Sequence, residues 1–149
     1  MSDQIKIGNV SFYKNDVKHS SVTYKNGEKI NCVWLNNGTK MEFKDQNTND
    51  RAEVVTGQYA GENYGPYGTG FSGIKGLHIE GTKNNDFYHI TNCDDYDVNV
   101  EKGGNDRVRV FNSNGKTNGT INADSNDNVE FVDGSGAINM NEGFFIRKD

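Results

Sequence analysis

Apolar and polar residues alternate along most of the first fifty-six positions. The segments Ile5 to Tyr13, Ser21 to Tyr24, Lys29 to Leu35, Lys40 to Lys44 and Ala52 to Thr56 each carry alternating or continuous β-favouring side chains. A period of two sends successive side chains to opposite faces, so each segment predicts a strand. Lys25-Asn26-Gly27-Glu28 and Asn36-Asn37-Gly38-Thr39 separate three of them. Asn-Gly between alternating segments is a hairpin signal, because both central residues of a type I′ turn need positive φ. Residues 21–44 therefore predict a three-stranded antiparallel meander.

The second half repeats. Asn-Asp recurs at Asn85-Asp86, Asn105-Asp106 and Asn126-Asp127. Alignment on that dipeptide puts Tyr88, Val108 and Val129 in one column, and Ile90, Val110 and Phe131 in the column two places on. Asn92, Asn112 and Asp133 follow as turn residues. The trailing halves match as well: Val98 and Val100, Ile121 and Ala123, Ile138 and Met140. Leu77 and Ile79 read as the trailing half of an earlier, incomplete unit. Each unit is strand, turn, strand, turn over about 20 residues, and Phe144 to Ile146 closes the chain. A β-solenoid explains why equivalent side chains recur in columns and why Asn and Asp recur at one corner, where they can ladder. A β-meander or barrel of hairpins is the alternative. In the solenoid, the N-terminal meander serves as a cap that pairs with the first open edge.

These patterns predict one all-β domain in three parts: an antiparallel meander over 1–56, a Gly/Tyr-rich loop over 57–73 and the repeat region over 74–149. The loop holds six glycines with Tyr59, Tyr64, Tyr67 and Phe71. Composition agrees with the β reading. Val and Ile number 21 against 6 for Leu and Ala together, and the 16 aromatic residues suit a pleated surface. The 22 asparagines and 18 glycines imply many tight turns.

The net charge of −5, with no Lys or Arg run, argues against nucleic acid as a partner. No stretch approaches the roughly 18 apolar residues of a spanning helix, which argues against membrane insertion. The opening residues lack a signal-peptide core, which leaves three locations open: cytoplasmic, secreted without a cleaved leader, or secreted with a leader already removed from this sequence. Cys32 and Cys93, 61 residues apart, read as two reduced, half-buried thiols.

Four kinds of chemistry are candidates. Asp94, Asp95, Asp106 and Asp127 fall at unit corners, and calcium takes carboxylate, carbonyl and amide oxygens in such loops. Gly103-Gly104-Asn105-Asp106-Arg107-Val108-Arg109 resembles the Gly-Gly-x-Gly-x-Asp repeat of calcium-binding β-rolls, without its third glycine or its tandem recurrence. Phe12 to Val22, with Asn15-Asp16 and Ser20-Ser21, resembles the calcium motif of βγ-crystallin domains, with one residue too many between the pairs. Both resemblances imply calcium as a ligand; aspartate's aptitude for turns is the alternative. The loop aromatics Tyr59, Tyr64, Tyr67 and Phe71, with Trp34, suit a sugar ring or a protein surface. Catalysis has less behind it. His89, Cys93 and Asp95 lie close in sequence, with His78 nearby, but a nucleophilic pair needs contact and an orienting group. His89 alternates with Tyr88 and Ile90, so it is expected on the solvent side. The leading reading is a non-catalytic binding or structural module for a glycan or protein surface; a small carbohydrate-active enzyme using paired carboxylates is the alternative.

Overall fold

A computed structural model of the chain describes residues 3–47, 51–56, 68–114, 119–141 and 144–147. They form fifteen strands: β1 (Gln4–Ile7), β2 (Val10–Tyr13), β3 (Val17–Lys25), β4 (Glu28–Leu35), β5 (Lys40–Phe43), β6 (Ala52–Thr56), β7 (Gly68–Ser72), β8 (His78–Glu80), β9 (Phe87–Thr91), β10 (Asp97–Asn99), β11 (Arg107–Asn114), β12 (Thr120–Asp124), β13 (Asn128–Ser135), β14 (Ala137–Asn141) and β15 (Phe144–Arg147). The described residues contain no α-helix, only a short 3₁₀ turn at Lys14–Asp16.

The repeat region is a β-solenoid. Sheet A runs β1-β2-β6-β7-β9-β11-β13-β15 and sheet B runs β14-β12-β10-β8-β5-β4-β3. From β7 onward the chain alternates between sheets, and neighbours within each sheet are parallel. Turns begin at Gly68, Phe87 and Arg107, and β13 to β15 continue the stack. The expected columns are in register: Tyr88, Val108 and Val129; Ile90, Val110 and Phe131; Val98, Ile121 and Ile138. Ile90, Val110 and Phe131 are at most 3% exposed. Both sheets contribute to one apolar cluster, and each fully buried aliphatic or aromatic side chain in it adds about 1.5–3 kcal/mol.

The N-terminal strands extend both sheets and cover the first turn. β3, β4 and β5 form the predicted antiparallel meander, and β5 pairs antiparallel with β8. In sheet A, β6 pairs antiparallel with β7 and parallel with β2. Side chains lock this junction. The Gln46 amide exchanges two hydrogen bonds with the Lys75 backbone, at 2.9 and 3.1 Å, as a neighbouring strand would. The Thr39 and Tyr88 hydroxyls meet at 2.8 Å inside the core.

Three expectations need correction. Ile5 to Tyr13 is two strands, because Gly8 and Asn9 both take positive φ and close a two-residue hairpin. The segment 57–73 is not all loop: β7 occupies 68–72 and supplies the leading strand that the unit containing Leu77 and Ile79 was expected to lack. Phe71 is a core residue at 1% exposure, in register with Ile90, and takes no part in an exposed aromatic surface. The run of glycines hid a strand whose small residues pack within the solenoid.

Candidate functional site

Strand alternation puts Ile79, Val98 and Ile121 inside and leaves their neighbours on the outer face of sheet B. Register then builds two rows across the strands. One runs Ser21, Cys32, Glu42, His78, Asp97, Thr120. The other runs His19, Trp34, Lys40, Glu80, Asn99, Asn122. Strands lie about 4.8 Å apart, so β4 to β12 spans about 19 Å. Trp34 is half-buried in the second row, its ring 5.0 Å from that of His19, with the Lys40 ammonium 5.1 Å from its centroid.

The carboxylates here are all engaged. Glu42 is bridged by Lys25 at 2.9 Å and Lys40 at 3.2 Å. Burial works against its ionisation, but those lysine hydrogen bonds prevail and hold its carboxyl below the usual range. His78 lies between two carboxylates, Nδ1 3.0 Å from Asp97 and Nε2 2.8 Å from Glu80. Thr120 donates to the other Asp97 oxygen at 2.8 Å, and Lys102 lies 3.6 Å from Glu80. Beside this lattice, where the cap meets the first turn, lies an open groove of about 350 Å³ lined by residues including Lys25, Ile30, Glu42, His78 and Asp95.

Of the sequence candidates, Trp34 belongs to this face. Tyr59, Tyr64 and Tyr67 lie outside the described residues. The four aspartates do not come together. Asp94 and Asp95 are exposed where the chain passes from sheet A to sheet B, whereas Asp106 and Asp127 are buried at the opposite corner, where it returns. The buried pair receives backbone N–H groups: Asp106 Oδ1 from Asp86 at 2.8 Å, Asp127 Oδ1 from Asp106 at 3.0 Å and Asp127 Oδ2 from Asp124 at 2.8 Å. These three oxygens face N–H donors, and no group of three or more His, Cys, Asp or Glu able to hold a metal occurs among the described residues. In the βγ-crystallin-like segment Asp16 is likewise buried, accepting from the Thr56 hydroxyl at 2.7 Å, while Ser20 and Ser21 are exposed on β3. In the β-roll-like segment Gly103 and Gly104 have positive φ, and a Cβ on Gly104 would collide with the Asn84 carbonyl. Gly104 therefore serves close coil stacking.

The suspected catalytic residues do not all converge, although His78 and Asp95 line the same groove. His78 lies on sheet B, Asp95 at an exposed corner and Cys93 in the core, where burial pushes its thiol up to about 11. Both cysteines are free, and both are more deeply buried than expected. His89 does occupy the outer side of sheet A, yet it is 8% exposed rather than solvated, because Phe87 and Phe111 pack against its ring. Burial first, then Arg109 and Arg107, lowers its imidazole to about 4.

The sequence reading missed Glu80, Asn99 and Asn122. A signal was present: an asparagine sits between the two apolar positions of the last three trailing halves, at Asn99, Asn122 and Asn139. Comparison of the chain with known protein families, characterised proteins and solved structures finds no match to any of them. No helix among the described residues is long and apolar enough to cross a membrane.

Proposed function

We propose that the protein is a non-catalytic binding module whose ligand is a carbohydrate lying across the outer face of sheet B. The carrying observation is the row Trp34, Lys40, Glu80, Asn99, Asn122, which combines an aromatic ring with a line of polar groups on a stiff sheet. An aromatic face packs against sugar C–H surfaces, while amides and carboxylates take the hydroxyls. Parallel coils hold the polar groups at fixed spacing, so little side-chain freedom is lost on binding.

The enzyme alternative has less support. A glycosidase acid needs a carboxyl kept protonated near its substrate. On this face Glu42 is held ionised by two lysines, and Glu80 and Asp97 are paired with His78. The test uses Trp34, the sole tryptophan, as its own reporter. Glycans that bind on an array should alter its fluorescence saturably in solution, and Trp34→Ala should abolish array binding while the thermal midpoint stays near the parent's. Array binding undiminished in both Trp34→Ala and Asn99→Ala, or no binding to any glycan, would defeat the proposal.

A further inference from the structure

At the corner where each turn returns from sheet B to sheet A, three aspartates stack 20 and 21 residues apart. Asp86 accepts from the Thr82 backbone at 2.7 Å and the Thr82 hydroxyl at 2.8 Å. Asp127 uses one oxygen for the Asp106 N–H and the other for the Asp124 N–H. Asp106 differs. Its Oδ1 takes the Asp86 N–H, but its Oδ2 is fully buried and no donor reaches it. The residue is 2% exposed, and the Asp127 carboxyl lies against it, its Oδ1 accepting from the Asp106 N–H. An ionised Asp106 would leave that buried oxygen without a donor beside a second carboxyl, whereas a protonated one carries its own hydrogen.

We propose that the Asp106 and Asp127 carboxyls share a bound proton, and that this proton clasps successive coils of the solenoid at their buried corner. The surroundings favour a proton over a metal ion. Calcium takes six to eight oxygens, whereas three of the pair's four carboxyl oxygens already accept backbone N–H groups. Among the described residues, the titratable groups facing the pair are Asp86 and the Tyr88 phenol from the turn before and Asp124 beside Asp127. None of them supplies a positive charge. Arg107, next in the chain, sends its guanidinium to the outer face, 5.4 Å from the Phe87 ring. Like-charged carboxyls in one buried site cannot both ionise cheaply.

Burial, with Asp127 and Asp86 adding to it, raises the Asp106 carboxyl from 3.8 to about 8. The folded chain therefore binds a proton that the unfolded chain releases near 3.8. The clasp's contribution is complete below that value, declines as pH rises and is gone above about 8. Asp106→Asn puts a permanent donor where the proton sits and keeps the acceptor for Asp86. Its thermal midpoint should exceed the parent's by a margin that widens from pH 5 to pH 9, reaching several degrees. A difference that stays constant from pH 5 to 9 would overturn the proposal. Carbon-13 spectra of the unmutated chain give an independent reading: at pH 6 one buried aspartate carboxyl should resonate as a protonated acid. Every aspartate appearing ionised would overturn the proposal. So would a midpoint that millimolar calcium raises in the parent and not in Asp106→Asn, since the corner would then hold a cation.

Discussion

Where the chain passes from sheet A to sheet B, its aspartates face water; where it returns, they replace water. At the first corner Asp94 and Asp95 are exposed, and the buried acceptor is a neutral hydroxyl. Ser113 Oγ takes the Cys93 N–H at 3.1 Å and lies 2.9 and 3.2 Å from the carbonyls of Phe111 and Ile90. At the second corner Asp86, Asp106 and Asp127 are at most 7% exposed, and each of Asp106 and Asp127 receives a backbone N–H from the coil before. The asparagine of the repeated dipeptide ladders too, Asn85 Oδ1 accepting from the Asn105 N–H at 2.8 Å. An inward acceptor bonded to the preceding coil must recur at the coil period; an outward one need not. That is why Asn-Asp returns every 20 or 21 residues and Asp94-Asp95 does not.

The contrast fixes where a mutation should hurt most. Asp106→Ala removes the acceptor of the Asp86 N–H and takes away the carboxyl beside that of buried Asp127. An orphaned buried group costs about 1–3 kcal/mol, so a loss near the top of that range is expected in denaturant unfolding at pH 6. A loss below about 0.5 kcal/mol would mean that water enters and that the two corners are alike. Ser113→Ala orphans the Cys93 N–H but strands no carboxyl, so its loss should be smaller, about 1 kcal/mol. If Ser113→Ala proved the costlier, charge burial would not be what separates the corners.

How much of this was legible beforehand follows from the same distinction. The solenoid columns could be read because inward positions repeat a property, apolarity, that sequence displays: Ile90, Val110 and Phe131 align on inspection. The buried strand β7 was hidden, because Gly68, Thr69 and Gly70 carry neither bulk nor alternation. The direction an aspartate faces is not a property of its identity. Asp106 and Asp94 read alike as turn residues, and only the regularity of one and the irregularity of the other separated them. The sheet B rows were half legible. Trp34 stood out by rarity, while Asn99 and Asn122 disappeared among 22 asparagines although their position between apolar columns marked them.

The smallest expected effect is at Asp94, and it tests the comparison from the other side. Among the described residues, the hydrogen bonds that tie Asp94 to the structure are main chain: its N–H reaches the Ile74 carbonyl at 3.2 Å, and its own carbonyl accepts from Gly76 at 2.8 Å. Backbone bridges to Lys75 and Asn114 complete the ladder. Alanine retains all of these, and the exposed carboxylate is lost only from water. Asp94→Ala should therefore change stability by no more than about 0.5 kcal/mol, as surface substitutions usually do. Its unfolding midpoint with millimolar calcium should differ from that with chelator no more than the parent's does. A ligand bound only to the folded chain must raise the midpoint by linkage. A calcium-dependent rise in the parent that Asp94→Ala abolishes would make this exposed corner a cation site, and its aspartates would then be ligands where those of the buried corner are hydrogen-bond acceptors.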